Sequence, residues 1–160
     1  MGMDVFGKDP SSEKGKYFRS NVWYWRPLWE YCSSVAPKLT NKVKYAGSND
    51  GDGLDAANSV ALANVLYLKI SSGHTRDFEV KWQKAIDDAP LVKCDFCQQG
   101  LRKWEAGSIN NDTDQDVYKT CNSCNGTGLV KDMISWYPFS ADLVKEFADF
   151  LIDSGGFEIW

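Results

Sequence analysis

The longest regular apolar pattern in the chain lies between residues 54 and 70 and predicts an α-helix. Apolar side chains recur there every three or four positions, which places them on one face of a helix. Asp52 is the predicted N-cap, because its carboxylate can accept a hydrogen bond from a free amide of the first turn. Gly73 is predicted to end the helix. The apolar stripe consists of Leu54, Ala57, Ala61, Val65 and Leu68, flanked by Leu62, Leu66 and Ile70.

Three further segments have helical spacing. One has Pro27 in its first turn, where the missing proline N–H costs little, and ends before Pro37. Cys32 lies on the apolar face of this segment and is predicted to belong to the core. The second covers residues 75–88, and the third runs from Ser140, as its cap, through Asp153.

Two short segments near the termini have the character of strands. Asp4-Val5-Phe6 is partly apolar and predicts a first strand, whereas residues 7–20 are rich in Gly, Ser, Lys and Pro and are predicted to form a loop. Phe157-Glu158-Ile159-Trp160 predicts a closing strand. We expect it to pair with the strand near Val5 and so to bring the termini together.

Two CxxC motifs, separated by 23 residues, carry the clearest chemistry in the chain. Each motif lets two sulfurs reach one metal ion from a tight turn, and two such knuckles complete the tetrahedron that zinc accepts with sulfur ligands. Four protein ligands leave no open position, which predicts a structural ion rather than a catalytic one. A redox pair or unligated cysteines are the alternatives. The predicted ligands of one Zn²⁺ are Cys94, Cys97, Cys121 and Cys124.

A hairpin accounts for the residues between the knuckles. Leu101–Trp104 and Val117–Thr120 suit its two strands, and Gly107 through Asp116 would form its tip. Glycines follow both knuckles and permit the positive φ angles that such turns need. They are Gly100 after the first knuckle and Gly126 and Gly128 after the second.

The predicted fold class is α+β: a small, mostly helical domain with a short sheet and an inserted zinc-ribbon hairpin. The core domain comprises residues 1–90 and 132–160, and the insert comprises residues 91–131. Apolar residues are sparse between the knuckles, so this segment builds little core of its own and something else must order it. Zinc binding would supply about 10–16 kcal/mol of apparent free energy for that purpose.

Composition and charge narrow the function classes. The 160 residues carry a formal net charge of -4, which disfavours a protein held to nucleic acid by phosphate neutralisation. No apolar run reaches the roughly 18 residues of a membrane span, and the N-terminus lacks the apolar stretch of a secretory signal. We therefore expect a cytoplasmic protein without membrane attachment, in a compartment where CxxC pairs bind metal rather than form disulfides.

The second knuckle resembles a known family. Cys121-Asn122-Ser123-Cys124-Asn125-Gly126-Thr127-Gly128 is similar to CxxCxGxG, the repeat of the DnaJ-type cysteine-rich domain. The segment from Cys94 to Gly100 resembles this repeat without its first glycine. The family's domain carries four repeats and two zinc ions, so the resemblance implies half a unit with one zinc. Chaperone activity is not implied, because the chain contains no His-Pro-Asp motif of a J-domain.

The segments outside the insert resemble a different group of proteins. Met1-Gly2-Met3-Asp4-Val5, the aromatic run Trp23–Trp29 and Gly155-Gly156-Phe157 look like uncharacterised small proteins of bacteria and bacteriophages that open with Met-Gly-Leu/Met-Asp. This resemblance implies a phage or bacterial origin, and therefore the host cytoplasm for a phage protein, and no stated activity.

The favoured functional hypothesis is a non-enzymatic module that binds a protein partner. The hairpin would present Phe96, Trp104 and Tyr118 to that partner. The chain has one histidine, His74, and no catalytic constellation built around it, although carboxylates brought together by folding are invisible in a sequence. The prediction therefore leans against an enzyme.

Two other binding modes are alternatives. A small molecule, such as a nucleotide, would bind a pocket lined by Trp23, Trp25 and Arg26, although burial of these aromatics on both sides of a helix is favoured. Nucleic acid would bind the zinc ribbon through Arg102, Lys103 and Lys119, which the acidic net charge makes the less favoured mode.

Overall fold

A computed structural model describes residues 2–109, 111 and 114–160 of the chain. Helix accounts for 44% of these described residues and strand for 23%, in small antiparallel sheets, which confirms the predicted α+β class. The helices are α1 (Val22–Val35), α2 (Pro37–Thr40), α3 (Ala56–Ser71), α4 (His74–Asp87) and α5 (Ala141–Asp153). The strands are β1 (Gly2–Gly7), β2 (Tyr17–Asn21), β3 (Asp52–Asp55), β4 (Leu91–Lys93), β5 (Leu101–Trp104), β6 (Val117–Thr120), β7 (Leu129–Lys131) and β8 (Gly156–Ile159).

The chain divides into two compact units. The larger unit runs up to Ile86 and resumes at Tyr137–Trp160, and the smaller unit is Asp87–Trp136. The sequence placed the limits of an insert at residues 91 and 131, inside those of the smaller unit.

The larger unit is built on an antiparallel sheet of four strands in the order β2-β1-β8-β3. Val5 of β1 lies opposite Phe18 of β2 on one side and Ile159 of β8 on the other. The predicted pairing of the closing strand with the strand near Val5 is therefore confirmed. Since side chains alternate along each strand, one face of the sheet is apolar. The buried residues of this face are Met3, Val5, Phe18, Leu54, Phe157 and Ile159.

Helices α1, α3 and α5 contribute most of the other core residues of this unit. Their largest buried side chains are fully enclosed, and each contributes about 1.5–3 kcal/mol by leaving water. Cys32 of α1 also belongs to this core, as its position on the apolar face predicted. The buried helical residues include Trp25, Leu28, Tyr31, Leu62, Leu66, Phe147, Phe150 and Leu151.

Helix α1 begins at Val22, earlier than a helix with Pro27 in its first turn. Asn21 is its N-cap, and the side-chain oxygen of Asn21 accepts a hydrogen bond of 3.0 Å from the amide of Tyr24. Pro27 is consequently an interior residue of the helix rather than a first-turn residue. Its ring removes the hydrogen bond that the carbonyl of Trp23 would otherwise accept. The placement of Pro27 was wrong because burial of Trp25 and Leu28 in one core outweighs that lost bond.

Two other local predictions need correction. The predicted loop over residues 7–20 contains most of strand β2, whose order comes from pairing with β1 and from burial of Phe18. Asp52 does not cap α3; it belongs to β3, and its carboxylate accepts hydrogen bonds from the amides of Lys44 and Tyr45. The cap of α3 is Asp55, which accepts from the amide of Asn58 at 2.8 Å.

The last helix matches its prediction. Ser140 caps α5 by accepting a hydrogen bond of 3.2 Å from the amide of Leu143, and the helix ends at Asp153. In the described part of the chain, no helix combines the length and the apolar character needed to cross a membrane.

Candidate metal centre

The smaller unit consists of two short antiparallel strand pairs around the cysteine motifs. Strands β5 and β6 pair as the sequence predicted, with Leu101 opposite Thr120 and Trp104 opposite Val117. The second pair, β4 with β7, was not predicted, because strands of three residues carry too little periodicity to be recognised. Together the two pairs bring both knuckles to one place.

The tip of the hairpin lies partly outside the described residues, which omit 110, 112 and 113. Asn111 is buried there, and its side-chain amide donates to the carbonyl oxygens of Trp104, Glu105 and Gln115 at 2.9–3.2 Å. No pattern in the sequence indicates this role of Asn111 beyond the frequency of Asn in turns.

The four motif cysteines meet at one point. Their sulfurs all lie within 4.8 Å of one another. The Sγ of Cys94 is 3.9 Å from that of Cys121, and the Sγ of Cys97 is 3.6 Å from that of Cys124. A tetrahedron of sulfurs about 2.3 Å from a central zinc ion has edges of about 3.8 Å. The residues Cys94, Cys97, Cys121 and Cys124 are therefore positioned to hold a metal ion.

The sulfur distances also bear on the alternative chemistry. A disulfide brings its sulfurs to about 2.05 Å, whereas the distances between the knuckles are 3.9 and 3.6 Å and all four cysteines are free thiols. Cys94, Cys121 and Cys124 are buried, and Cys97 is half-buried. An ion with four sulfur ligands in such a cage has no position left for a substrate.

Glycines hold the two knuckle loops against each other. Gly100 has a φ of 88°, Gly126 of 82° and Gly128 of 73°, which confirms the predicted positive angles. A Cβ atom on Gly100 would lie 2.0 Å from the carbonyl oxygen of Gly126, so the loops touch through their backbones. The amide of Gly128 donates to the Sγ of Cys124 at 3.3 Å.

The backbone of the second knuckle favours thiolates. Burial raises the pKa of the Cys121 thiol, but hydrogen bonds from the backbone amides of Cys124 and Ser123 reverse this and bring the pKa to about 6. In the first knuckle, burial raises the pKa of the Cys97 thiol to about 12, supported by the Cys124 side chain. Since a metal binds thiolate sulfur, occupation of the cage must displace protons from the first knuckle.

Of the residues predicted to line an aromatic pocket, Trp25 lies in the core, whereas Trp23 and Arg26 lie at the surface. Trp25 is 1% exposed, and its indole nitrogen donates to the carbonyl oxygen of Ala46 at 2.6 Å. Trp25 is thus a core residue, and the prediction that it lines an open pocket with Trp23 and Arg26 is wrong. One turn of helix contains all three, so only part of the run can face the core.

Trp23 and Arg26 both meet Tyr137, a residue that the sequence did not single out. The Trp23 ring lies 5.3 Å from the Tyr137 ring, and the Arg26 guanidinium lies 5.2 Å above it while donating to its hydroxyl at 2.8 Å. Tyr137 is more than a hundred residues away in sequence, so no local pattern could have revealed this cluster.

The three aromatics predicted to form one binding surface on the hairpin do not share a face. Tyr118 lies opposite Lys103, and Trp104 lies opposite Val117, one position further along each strand. Successive side chains of a strand point to opposite faces. The prediction of a single surface of Phe96, Trp104 and Tyr118 is therefore wrong for Trp104.

Phe96 and Tyr118 do lie together. They line a cavity of about 300 Å³ with Leu101 and Lys103. Phe96 is 50% exposed, Leu101 49% and Tyr118 61%. This group of Phe96, Leu101 and Tyr118 is called the aromatic face below.

The basic residues of the hairpin divide in the same way. Arg102 lies opposite Lys119 and stacks over the Trp104 ring at 4.6 Å, on the face away from Tyr118. Lys103 lies on the other face and forms an ion pair of 2.6 Å with Asp116. The three cations predicted to contact phosphates therefore do not act together. Residues 87–136 also carry eight Asp and Glu against five Lys and Arg.

Comparison with protein-family models, with curated proteins and with solved structures gives no match for this chain. The functional conclusion accordingly depends on the geometry of the site.

Proposed function

We propose that the protein is a non-enzymatic protein-interaction module whose smaller unit is ordered by one structural zinc ion. The observation that carries the proposal is the sulfur cage of the four motif cysteines, with sulfur separations of 3.6 and 3.9 Å. Zinc is the metal proposed because it accepts four thiolates in a tetrahedron without a redox change.

The composition of the smaller unit supports a structural role for the ion. Among its described residues, the buried apolar side chains are those of Cys94, Cys121 and Cys124. Cys97 and Val130 pack against this cluster. A core made of metal-binding cysteines has little hydrophobic stabilisation when no ion is bound. The binding energy of the ion therefore supplies the stability of the unit.

Metal analysis tests this part of the proposal. Purified protein should contain one zinc per chain by native mass spectrometry, and Cys121→Ser should lose it. The matched control is Cys32→Ser, which changes the fifth cysteine, in the core of the larger unit, and should keep one zinc. Wild-type protein prepared with zinc in the medium and found without stoichiometric metal would sink the proposal.

The aromatic face supports binding of a protein partner. Phe96, Leu101 and Tyr118 expose about half of their surface each on one side of the hairpin. Exposed aromatic side chains beside a rigid centre are typical anchors of protein interfaces. The closed coordination of the metal argues against catalysis at this site.

Cross-linking and pull-down from a bacterial lysate test the aromatic face. The double variant Phe96→Ser/Tyr118→Ser should lose proteins that the wild type captures, since both anchors are removed. The control is Leu91→Ser on β4, an equally exposed apolar residue of the same unit. Equal capture by wild type and double variant, or none by the wild type, counts against this surface.

The same proposal includes a relation of the insert to the DnaJ-type cysteine-rich domain. We infer that it is half of a DnaJ-type cysteine-rich unit with one zinc, an inference supported by the left-handed glycines Gly126 and Gly128 in the CxxCxGxG segment. A bacterial or phage origin and a reducing cytoplasm as its compartment are consistent with free thiols at a metal site.

One observation favours a second candidate function, binding of single-stranded nucleic acid. Arg102 stacked on Trp104, with Lys119 opposite, combines an aromatic platform with positive charge. Binding of this kind weakens steeply as salt rises. Fluorescence anisotropy with a labelled oligonucleotide at two salt concentrations tests it, and an absent or salt-independent signal removes it.

A further inference from the structure

A groove lies along the free edge of the sheet in the larger unit. Strand β2 is the last strand of the order β2-β1-β8-β3, so within the described residues one of its sides has no neighbouring strand. Helix α5 lies beside it, held by contacts of the Phe18 ring with Phe147 at 5.0 Å and Phe150 at 5.9 Å. The strand edge and the helix thus form two walls.

Two cavities fill the space between these walls and meet at one residue. The first, of about 360 Å³, is lined by Arg19, Ser20 and Asn21 from the strand and by Leu143 and Glu146 from the helix. The second, of about 280 Å³, is lined by Lys14, by Tyr17 and Phe18 from the strand and by Glu146, Asp149 and Phe150 from the helix. Since Glu146 borders both, the two cavities adjoin along β2, and together they are called the groove below.

The backbone of β2 offers hydrogen bonds toward this groove. The amide of Gly7 donates to the carbonyl of Lys16, so Lys16 faces β1. In an antiparallel pair the residues alternate between facing the neighbour and facing away. Tyr17 and Arg19 therefore direct their N–H and C=O groups away from β1, where an added strand would pair with them.

The side chains around the groove define what would fit. Two basic residues line the groove, and each is in an ion pair: Arg19 with Asp4 and Lys14 with Asp149. Asp142 and Asp149 of α5 are also paired. Glu146 is exposed, and within the described part of the chain it forms no ion pair within 4.0 Å. On the outer face of the sheet, Phe6 and Tyr17 are 44% and 45% exposed, with ring centroids 5.1 Å apart. An extended chain in the groove would turn alternate side chains toward these two environments.

We propose that the groove binds an extended segment of a partner protein, which adds to β2 as a fifth strand and carries alternating basic and apolar side chains. The basic side chains lie over Leu143 and reach Glu146, and the apolar ones pack beside Phe6 and Tyr17. Main-chain hydrogen bonds to Tyr17 and Arg19 hold the segment, as in other cases of strand addition. This surface is separate from the zinc site and the aromatic face, and the proposal goes beyond the function proposed above.

Charge argues against a second copy of the chain as the occupant. If β2 paired with β2 of another copy around Arg19, the two arginines would face each other. The rows of Asp142, Glu146 and Asp149 on the two α5 helices would also approach. Like charges opposite each other destabilise a strand pair.

Selection from a displayed library of short random peptides, on zinc-loaded protein, tests the proposal. The enriched peptides should alternate basic and apolar residues, and a synthetic copy should bind in fluorescence anisotropy. The bound peptide should slow the hydrogen exchange of the Tyr17 and Arg19 amides, which face the groove, as followed by NMR. Failure to enrich any peptide, or self-association of the protein in place of peptide binding, overturns the proposal.

Two matched substitutions at one position test the backbone contact. Arg19→Pro removes the outward N–H while leaving the bonds to β1, which an edge strand tolerates, and should weaken the peptide about tenfold or more. Arg19→Ala removes the same side chain but keeps the N–H and should bind within about threefold of wild type. Equal affinity of the two variants contradicts strand addition.

Two further measurements keep the test independent of the stability of Arg19→Pro. The same peptide N-methylated at alternate residues should lose binding to wild-type protein, and Glu146→Lys should weaken the basic peptide by about three- to tenfold. Phe96→Ser/Tyr118→Ser should leave peptide binding unchanged, which separates this groove from the proposed aromatic face. Full binding of the N-methylated peptide, or no effect of Glu146→Lys, overturns the proposal.

Discussion

Gln99 holds a backbone conformation that costs an L-residue free energy. It has a φ of 49° and precedes Gly100, which has a φ of 88°; in the second knuckle Asn125, with a φ of 51°, precedes Gly126, with a φ of 82°. Each knuckle therefore has two successive left-handed positions, and glycine fills only the second of them. A residue with a Cβ atom pays in strain for this conformation, and glycine does not.

Replacement of Gln99 by glycine should therefore tighten the knuckle. We expect Gln99→Gly to strengthen zinc binding by about 1 kcal/mol, or roughly fivefold, because folding of the knuckle and metal binding are coupled. Competition with a chromophoric chelator measures the affinity. Gln98→Gly is the control: its φ is not positive, so glycine there should weaken binding or leave it unchanged. A loss of affinity in Gln99→Gly contradicts the strain.

Cys32 should make the stability of the larger unit sensitive to alkali. Burial raises the pKa of this thiol from 9.0 to about 12. The native state therefore keeps the proton at pH values where the unfolded chain releases it. The part of the free energy of unfolding that comes from the protonated Cys32 thiol is fully present below pH 9. It falls by up to about 1.4 kcal/mol per pH unit as the pH rises toward 12.

The pH effect is isolated by comparing wild type with Cys32→Ala in urea unfolding between neutral and alkaline pH. Titration of tyrosines and of the zinc ligands is common to both proteins and cancels in the difference. The advantage of the wild type should shrink as the pH rises above about 9. A constant difference between the two proteins shows that the buried thiol does not titrate as described.

At the scale of elements, helix α1 shows how local and tertiary preferences combine. Its cap is Asn21, the last residue of β2, so strand and helix meet without an intervening loop. The cap satisfies the amide of Tyr24 at a helix start that precedes an internal proline. Because Pro27 weakens the second turn, the start of this helix depends more strongly on the cap.

Loss of this cap should destabilise the larger unit. Asn21→Ala is expected to lower the free energy of unfolding by about 1 kcal/mol, within the usual range of 0.5–2 for caps, as measured by urea denaturation. Asn21→Ser, which restores a capping oxygen, should recover most of the loss. Equal stability of wild type and Asn21→Ala would show that the helix begins elsewhere.

The elements that could be predicted from sequence are those with a local signal. The hairpin strands Leu101–Trp104 and Val117–Thr120 were located correctly because the cysteine motifs anchor both ends, and α5 because Ser140 precedes a clear apolar stripe. Strand β2 was missed, since its order depends on β1 and on burial of Phe18. The division of Trp104 and Tyr118 between two faces depends on register, which residue type alone does not reveal.

At the scale of the whole molecule, the two units differ in what stabilises them. The larger unit has an extended apolar core that includes Trp25, Tyr31 and Phe147. The buried cluster of the smaller unit consists of cysteines, with Val130 against them. A hydrophobic core persists without metal, whereas a cage of thiols does not hold together without its ion.

Removal of the metal should therefore affect one unit alone. With a strong chelator and reductant present, we expect amides of Asp87–Trp136 to lose protection in hydrogen exchange by mass spectrometry, while those of β1, β8, α3 and α5 keep theirs. Re-addition of zinc should restore the protection. If both units lose protection together, or neither does, the larger unit is not stabilised by its apolar core and the smaller one by its metal ion in the way described.

X-ray absorption at the zinc edge reads the ligands of the ion directly. For the purified protein, we expect a first coordination shell of four sulfurs at about 2.3 Å, with no nitrogen or oxygen ligand. A shell that contains nitrogen or oxygen, or a spectrum without a zinc absorption edge, would contradict a closed site built from Cys94, Cys97, Cys121 and Cys124.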